Sequence, residues 1–517
     1  MPEGITGSRH RWLLYAAGLL LLLAPSFFAV SRQSLWPDEA ASAYFAGHAA
    51  LFQLPGAQDM AMAAQMPGYH VLLTLWVRLF GDSEFALRAM NLPFAALFLV
   101  SLLALAGRGG WSLVVPFAFY PLLIYYVNEC RPYVAVMACT AAALACLERS
   151  RRDNSPGLIW ACAGFLLAAF CLHLLGALAL GFVFVYCLLD GETRRWLLGG
   201  WRNYGSAVAV LAVASAGLLG YYRGLGISQA AATAAAATGR APSGWKNAAF
   251  FFYEVLGFDG LGPPRNQMRA GGNATLFLPY SGWMALGALA ALFLAVVFVH
   301  NWRSRTKRAA LLMAGSMSAA ILLALAGLTL GARALSFSFL GRHAMPLAAG
   351  VCSVLLLALR SEKNSALRLA GWTLLLVTWG ASSAHLVMSY PYGKDDARTA
   401  LQIARDSKLP ILWNADGLNA NYYNGCEEAV APSLVHPLLA GAGTHWVCTI
   451  PLRILDLSGG VYAGRVLRSL PRGRYVLVLG KQDIYDPQGA LREAIADAPG
   501  RTLAQLNGYQ VRELELH

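Results

Sequence analysis

Asp38 and Glu39 are adjacent carboxylates in the stretch Leu35-Trp36-Pro37-Asp38-Glu39-Ala40, directly after an apolar run at 12–30 that is long enough to cross a bilayer. Carboxylates beside a membrane are costly to desolvate, so they are paired, solvated or used. One of them could act as a general base, taking the proton from an attacking hydroxyl or amine. The plainer role is to cap the helix that Pro37 starts. Four further polar groupings interrupt the apolar runs. In Asn128-Glu129-Cys130-Arg131-Pro132-Tyr133, Arg131 is a fork of donors suited to phosphate or carboxylate, and Glu129 could orient it. His173 lies alone between two apolar runs, where a packed, hydrogen-bonded imidazole is the usual case. Gly262-Pro263-Pro264-Arg265-Asn266-Gln267-Met268-Arg269 sets two arginines four apart beside a rigid turn, a spacing that could clamp a phosphate. Gly341-Arg342-His343-Ala344-Met345-Pro346 opens another apolar run, so snorkelling of Arg342 and His343 to lipid headgroups is the alternative to a site.

The elements that must position these groups are membrane helices. Of 517 residues, 57% are hydrophobic and only 13% charged, whereas a soluble domain is nearer one quarter charged. The net charge of +13 comes as short basic clusters between apolar runs, which is a topology signal and excludes nucleic acid as the natural partner. The apolar run at the N-terminus continues without a small-residue cleavage site and is expected to be a retained helix. About eleven spans are predicted, at 12–30, 89–106, 111–127, 132–147, 158–172, 174–190, 204–222, 275–299, 309–330, 344–359 and 369–388. With the N-terminus inside, the loops at 108, 148–153, 192–202, 301–308 and 360–368 are cytoplasmic, and every one is basic. The segment 68–81 carries His70 and Arg78 and is short, so it reads as an interfacial helix on the outer face. Counting it as a span would reverse every later loop.

This threading places the five polar groupings on one face. The expected fold class is a polytopic α-helical membrane protein of about eleven transmembrane helices, with outer-face loops 31–88 and 223–274. The stretch 224–243 is rich in Ala, Gly, Ser and Thr, buries little and is expected to be mobile, with a gate as one role for it. The composition changes after Tyr390. A membrane domain 1–390 is therefore expected to be followed by a small α/β domain, 391–517, with a helix over 394–406 and strands at 410–413, 475–479 and 509–516. That tail carries Arg453, Arg465, Arg468, Arg472 and Arg474, either a solvated face or a contact for anionic lipid headgroups or glycans. Seven of nine cysteines fall in or beside apolar runs with no metal-site spacing; Cys426 and Cys448, in the tail, could form a disulfide outside the cytoplasm.

The order of these motifs resembles the protein O-mannosyltransferase and aminoarabinose-transferase family, membrane glycosyltransferases of the C superfold. The resemblance is carried by Asp38-Glu39 after the first span, Gln65-Met66-Pro67-Gly68-Tyr69, Leu79-Phe80-Gly81-Asp82-Ser83-Glu84-Phe85-Ala86-Leu87-Arg88, Glu129-x-Arg131-Pro132-Tyr133, His173 and Arg342-His343-x-x-Pro346. Lys394-Asp395-Asp396-x-Arg398 is similar to the segment after the last span in that family. One departure is Gln65-Met66-Pro67-Gly68, where the family often has His-Pro-Pro-Leu or Lys-Pro-Pro-Leu.

The resemblance implies a glycosyltransferase C-like fold (GT-C) and transfer of a hexosyl or pentosyl group, with inversion, from a polyprenyl (undecaprenyl) phosphate sugar. It implies work on the periplasmic face of a bacterial inner membrane, with a lipid, glycan or protein acceptor in the cell envelope, lipopolysaccharide among them. Asp38, with Glu39 beside it, takes the catalytic position. Arg131, Arg265, Arg269 and Arg342 become donor-phosphate ligands, and Tyr69, Glu129, Tyr133, His173 and His343 substrate-binding residues. No cofactor is expected; a divalent metal near Asp38 and Glu39 is the alternative. The competing functions are a lipid-linked glycan transporter or flippase, and a polymerase or ligase using diphosphate-linked donors. A transporter would more readily carry ionisable residues near the bilayer midplane and a repeat between its halves, and neither is evident.

Overall fold

The computed structural model describes residues 4–30, 33–52, 54, 65–107, 110–225, 244–269, 274–303, 308–334, 339, 341–424, 446–448, 454–457, 467–468, 470–486 and 488–517. The chain forms two compact units. One comprises Met1–Arg32, Ala50–Gly81 and Phe85–Ser389; the other comprises Gln33–Ala49, Asp82–Glu84 and Tyr390–His517. The gate expected at 224–243 and the pairing of Cys426 with Cys448 lie outside the described residues, as do Arg453 and Arg465.

The first unit is a helical membrane body. Six helices among the described residues are long and apolar enough to cross a bilayer, and a seventh candidate is a bent pair, Gly176–Leu189 with Gly191–Gly199, turning by 93°. Shorter apolar helices at Ala16–Ala29 and Pro156–Leu172 accompany them. This is a multi-pass membrane protein, and the apolar runs of the sequence do become helices. The run 111–127 is instead two short helices, Trp111–Ala118 and Pro121–Val127. Pro121 explains the break: it forces Tyr120 into extended backbone, at φ −62° and ψ 120°. Ser383 Oγ donates to the Phe119 carbonyl at 2.8 Å, as freed backbone groups inside a membrane protein require.

Three turns of this unit matter below. The segment 128–132 joins Pro121–Val127 to the helix Tyr133–Asp153; His173 ends the helix Pro156–Leu172; and a 3₁₀ turn, Gly341–Ala344, leads into the helix Met345–Ser361. The last apolar helix, Ser365–Met388, is capped by Asn364, whose Oδ1 accepts from the amides of Ala366 at 2.9 Å and Leu367 at 3.3 Å. Three of its side chains fasten the loop 256–260: Trp379 Nε1 donates to Leu256 O at 3.2 Å, Ser382 Oγ donates to Gly257 O at 2.7 Å, and His385 Nδ1 lies 2.7 Å from Gly260 O. Gly257 sits there at φ +90°, and a Cβ would meet the Trp379 ring, so only glycine fits.

The second unit is an α/β domain into which α1, Pro37–His48, is packed. Its strands are β1 (Ile411–Asn414), β2 (Trp446–Cys448), β3 (Ile454–Asp456), β4 (Gly473–Leu479), β5 (Gly500–Leu506) and β6 (Tyr509–Leu516), in the order β2-β3-β1-β4-β6-β5. β3, β1 and β4 run parallel, and the remaining pairings are antiparallel. Both faces of β4 are buried, as a parallel centre requires. Val476 and Val478 pack with Leu401, Trp413 and Val511, while Leu477 and Leu479 pack on the other face with Leu412, Leu491 and Leu514. Each such side chain contributes roughly 1.5–3 kcal/mol of burial. The helices are α2 (Ala397–Asp406), started by Asp396, whose Oδ1 accepts from Thr399 N at 3.2 Å, and α3 (Gly417–Asn424), which packs on α1.

Candidate active site

In the membrane unit the polar groupings meet at helix ends, and Tyr133 is their centre. Its ring centroid lies 5.9 Å from the Arg131 guanidinium carbon, 5.9 Å from that of Arg342 and 5.9 Å from the His173 ring. The Tyr126 ring lies 5.2 Å from it, edge to face. The turn that carries Arg131 is rigid. Asn91 Nδ2 donates to the carbonyl of Glu129, Arg131 N donates to the same carbonyl at 2.7 Å, and Tyr69 OH lies 3.9 Å from Cys130 Sγ. Asn128, Glu129, Arg131 and Tyr69 are all buried.

His173 is fixed in one tautomer. Its Nδ1 accepts a 2.9 Å hydrogen bond from the amide of Leu175, so the neutral ring carries its proton on Nε2. Burial, and then the charges of Arg131, His343 and Arg342, hold this imidazole well below the usual histidine range. His70, on the helix Pro67–Phe80, is pushed down to about 3 by burial and then by Arg131. Two fixed cations thus stand beside imidazoles that stay neutral at physiological pH. His70 was not a site candidate from the sequence, where it served only to argue against a span.

Arg265 belongs to a neighbouring grouping of a different kind. It holds Asp259 with both carboxylate oxygens, at 2.9–3.0 Å from Nε and 2.5 Å from Nη2, and Nη2 lies 2.8 Å from Glu254. It stacks at 4.2 Å over Tyr125 and donates to Tyr126 OH at 3.3 Å. Glu254 in turn packs on the backbone of Gly341, where a Cβ would collide with its Oε2, and Asn247 Nδ2 donates to Phe339 O at 2.8 Å. The acidic partners Asp259 and Glu254 gave no sequence signal, since a lone carboxylate in a loop is ordinary. Arg265 opens the short helix Arg265–Arg269 and the backbone of Arg269 ends it; the Arg269 side chain is outside the described residues.

In the second unit the Asp38-Glu39 pair divides. Both occupy the first turn of α1, behind Pro37. Glu39 is wholly buried: its Oε2 lies 3.2 Å from Lys394 Nζ, itself 3% exposed, and 3.3 Å from Trp36 N. Asp38 is half-buried. The stretch before α1 is stitched to the domain by Tyr423, whose hydroxyl accepts from Leu35 N at 2.6 Å and bonds Glu84 Oε1 at 2.5 Å, and by Arg398, which pairs with Glu84. Lys394 and Arg398 lay in a segment singled out only by resemblance, and their partners lie more than 300 positions away in sequence. Among the described residues no group of three or more His, Cys, Asp or Glu is arranged to hold a metal ion.

No family model matches this sequence, and no curated protein does. Solved structures do. The aminoarabinose transferase ArnT from Cupriavidus metallidurans, bound to undecaprenyl phosphate, aligns with a TM-score of 0.51 at 15% identity, over 97% of this chain and 98% of that one. The same enzyme in the apo state aligns with a TM-score of 0.52 at 14% identity, over 98% of each chain. The chain therefore has the GT-C membrane fold together with a small C-terminal sheet domain.

Proposed function

We propose that the chain is an inner-membrane glycosyltransferase that moves a sugar from a polyprenyl (undecaprenyl) phosphate donor to a cell-envelope acceptor on the periplasmic face, inverting the anomeric carbon. The observation that carries this reading is the pair of guanidiniums, Arg131 and Arg342, flanking Tyr133 at the helix ends of this fold. An acceptor oxygen or nitrogen attacks the anomeric carbon opposite the phosphate. The sugar–phosphate C–O bond breaks, and its electron pair stays on the phosphate oxygen. The phosphate thereby gains about one negative charge, which preorganised cations stabilise more in the transition state than in the donor. His173, neutral with its proton on Nε2, adds a hydrogen-bond donor without adding charge. Arg265 pairs with Asp259 and Glu254 through Nε and Nη2, which leaves Nη1 as its donor toward a phosphate.

Asp38 is the proposed general base for the acceptor proton, and buried Glu39 holds the helix turn that presents it. The acceptor is a hydroxyl or amine of a lipid, glycan or protein.

The test is release of undecaprenyl phosphate from labelled polyprenyl-phosphate sugar in membranes that contain the native acceptors. Asp38→Asn is expected to slow release by about 10²–10⁴-fold, the usual worth of a general base, while undecaprenyl phosphate affinity in nanodiscs changes less than about twofold. Wild-type turnover by Asp38→Asn would remove the base assignment. Lipid binding with no sugar transfer at all would favour a flippase.

A further inference from the structure

Within the membrane unit, the helix Trp245–Val255 carries polar side chains on the face that it packs inward. Its buried residues are Ala248, Phe251, Glu254 and Val255, at the three-and-four spacing of a helix laid on its neighbours. Asn247, half-buried, stands two turns before Glu254 and therefore on the same side. An amide and a carboxylate on a packed face cost stability unless each is bonded. Both of these meet one short stretch of chain, 339–341, which leads directly into Arg342.

Asn247 uses both ends of its amide. Its Oδ1 accepts from Gly244 N at 3.0 Å and closes the first turn of its own helix. Its Nδ2 donates to the Phe339 carbonyl at 2.8 Å, 92 positions away in sequence. Glu254 is the second anchor. Its Oε1 lies 2.8 Å from Arg265 Nη2, and its Oε2 fills the space that a side chain at Gly341 would need. A flexible carboxylate on a surface would swing aside for a methyl group. This one is 3% exposed and tied to Arg265, so the room next to Arg342 exists only for glycine.

The stretch is thus held at two points, and Arg342 follows the second. Gly341–Ala344 is a single 3₁₀ turn, so the place of the Arg342 guanidinium, 5.9 Å from the Tyr133 ring, depends on where that turn is anchored. A long cationic side chain on a loose loop loses backbone and rotamer freedom each time it captures an anion, whereas a turn fixed in advance has already lost the backbone share. We propose that Asn247 and Glu254 are positioning residues for the donor phosphate, acting through Arg342 by fixing the turn that presents it. The inference rests on the reading of Arg342 as a phosphate ligand. It adds that affinity for the lipid is set in part from the helix Trp245–Val255.

Asn247→Asp isolates one contact, since the carboxylate keeps an acceptor for Gly244 N but has no proton to give the Phe339 carbonyl. In full-length protein in nanodiscs, undecaprenyl phosphate binding is expected to weaken about three- to tenfold, the worth of one hydrogen bond. Peptides covering 339–344 should exchange their amide hydrogens faster. In an Arg342→Ala background the same substitution should cost no further affinity, because a residue acting through Arg342 has nothing left to act on. Gly341→Ala probes the Glu254 anchor and should behave likewise. Additive losses in the double variants would show an effect on the lipid by charge or by the fold at large, and would overturn the positioning role. So would wild-type affinity in both single variants, or unchanged exchange across 339–344. Those outcomes leave Arg342 as a phosphate ligand. Absence of undecaprenyl phosphate binding by the wild-type protein would instead remove the donor reading itself, and the positioning role with it.

Discussion

The two units solve opposite electrostatic problems. In the membrane unit, two guanidiniums converge on one aromatic ring, and the nearby histidines are kept neutral by burial and by those same cations. In the α/β unit, Asp38 is half-buried in the first turn of α1, and the deeply buried Lys394 is matched to Glu39. The first arrangement concentrates positive charge where an anion would bind. The second matches a buried carboxylate to a buried ammonium in the same helix turn that carries Asp38. The lesson is that Asp38 and Glu39, adjacent and chemically alike, stand in different surroundings: one is half-buried and the other is wholly buried against Lys394. Among the arginines, Arg131 and Arg342 both lie 5.9 Å from the Tyr133 ring, and Arg265 is clasped by two carboxylates.

The largest effect should come from breaking the matched charges. Lys394→Met takes the cation at 3.2 Å from buried Glu39, and breaking a buried pair costs about 3–5 kcal/mol. A marked fall in the unfolding midpoint is expected by tryptophan fluorescence. The double variant Glu39→Gln with Lys394→Met should recover most of it, because both charges of the pair are then gone. If the single change is as stable as wild type, Glu39 is solvated and the division of labour between the two carboxylates is lost.

Arg265→Ala is the parallel experiment in the membrane unit. Asp259 and Glu254 would stand buried without their cation, so the loss should again be about 3–5 kcal/mol of stability. Arg131→Ala and Arg342→Ala test the lipid instead. Each is expected to weaken undecaprenyl phosphate binding by about 10–100-fold, the worth of a charged hydrogen bond. Binding measured in nanodiscs alongside unfolding separates the two classes. Equal loss of lipid affinity from Arg265→Ala, at unchanged stability, would move Arg265 into the phosphate site.

These contrasts also mark what a sequence can reveal. The apolar runs, and the strands at 475–479 and 509–516, were legible because burial imposes a period or a continuous apolar run on local residues. β4 is Gly473–Leu479 and β6 is Tyr509–Leu516. The break at Tyr120 was masked by unbroken hydrophobicity, although Pro121 stands at it. The chemical types at Asp38, Arg131, Arg265, His173 and Arg342 were likewise visible. Their partners were not, because Glu39 with Lys394 and Glu254 with Arg265 and Gly341 are set by packing, which leaves no local pattern. Strand order was hidden for the same reason: parallel neighbours are joined through long crossovers.

The smallest expected effect tests whether the cations keep the nearby imidazoles neutral. His70 is held near pKa 3 by burial and by Arg131, against about 6.5 in an unfolded chain. Above pH 6.5 the ring is neutral in both states, and its contribution to stability is fully present. As pH falls from 6.5 toward 3, only the unfolded chain takes up the proton, so the fold loses up to about 1.4 kcal/mol per pH unit from this group. Unfolding midpoints followed from pH 7.5 to 4.5 should therefore fall with acid, and His70→Gln should flatten part of that slope because an amide cannot titrate. Arg131→Gln should flatten it less, since burial is the larger cause and the arginine charge the smaller. An unchanged slope in His70→Gln would mean that this imidazole is already solvated or protonated, and the cation-rich cluster would then carry more charge than its two arginines.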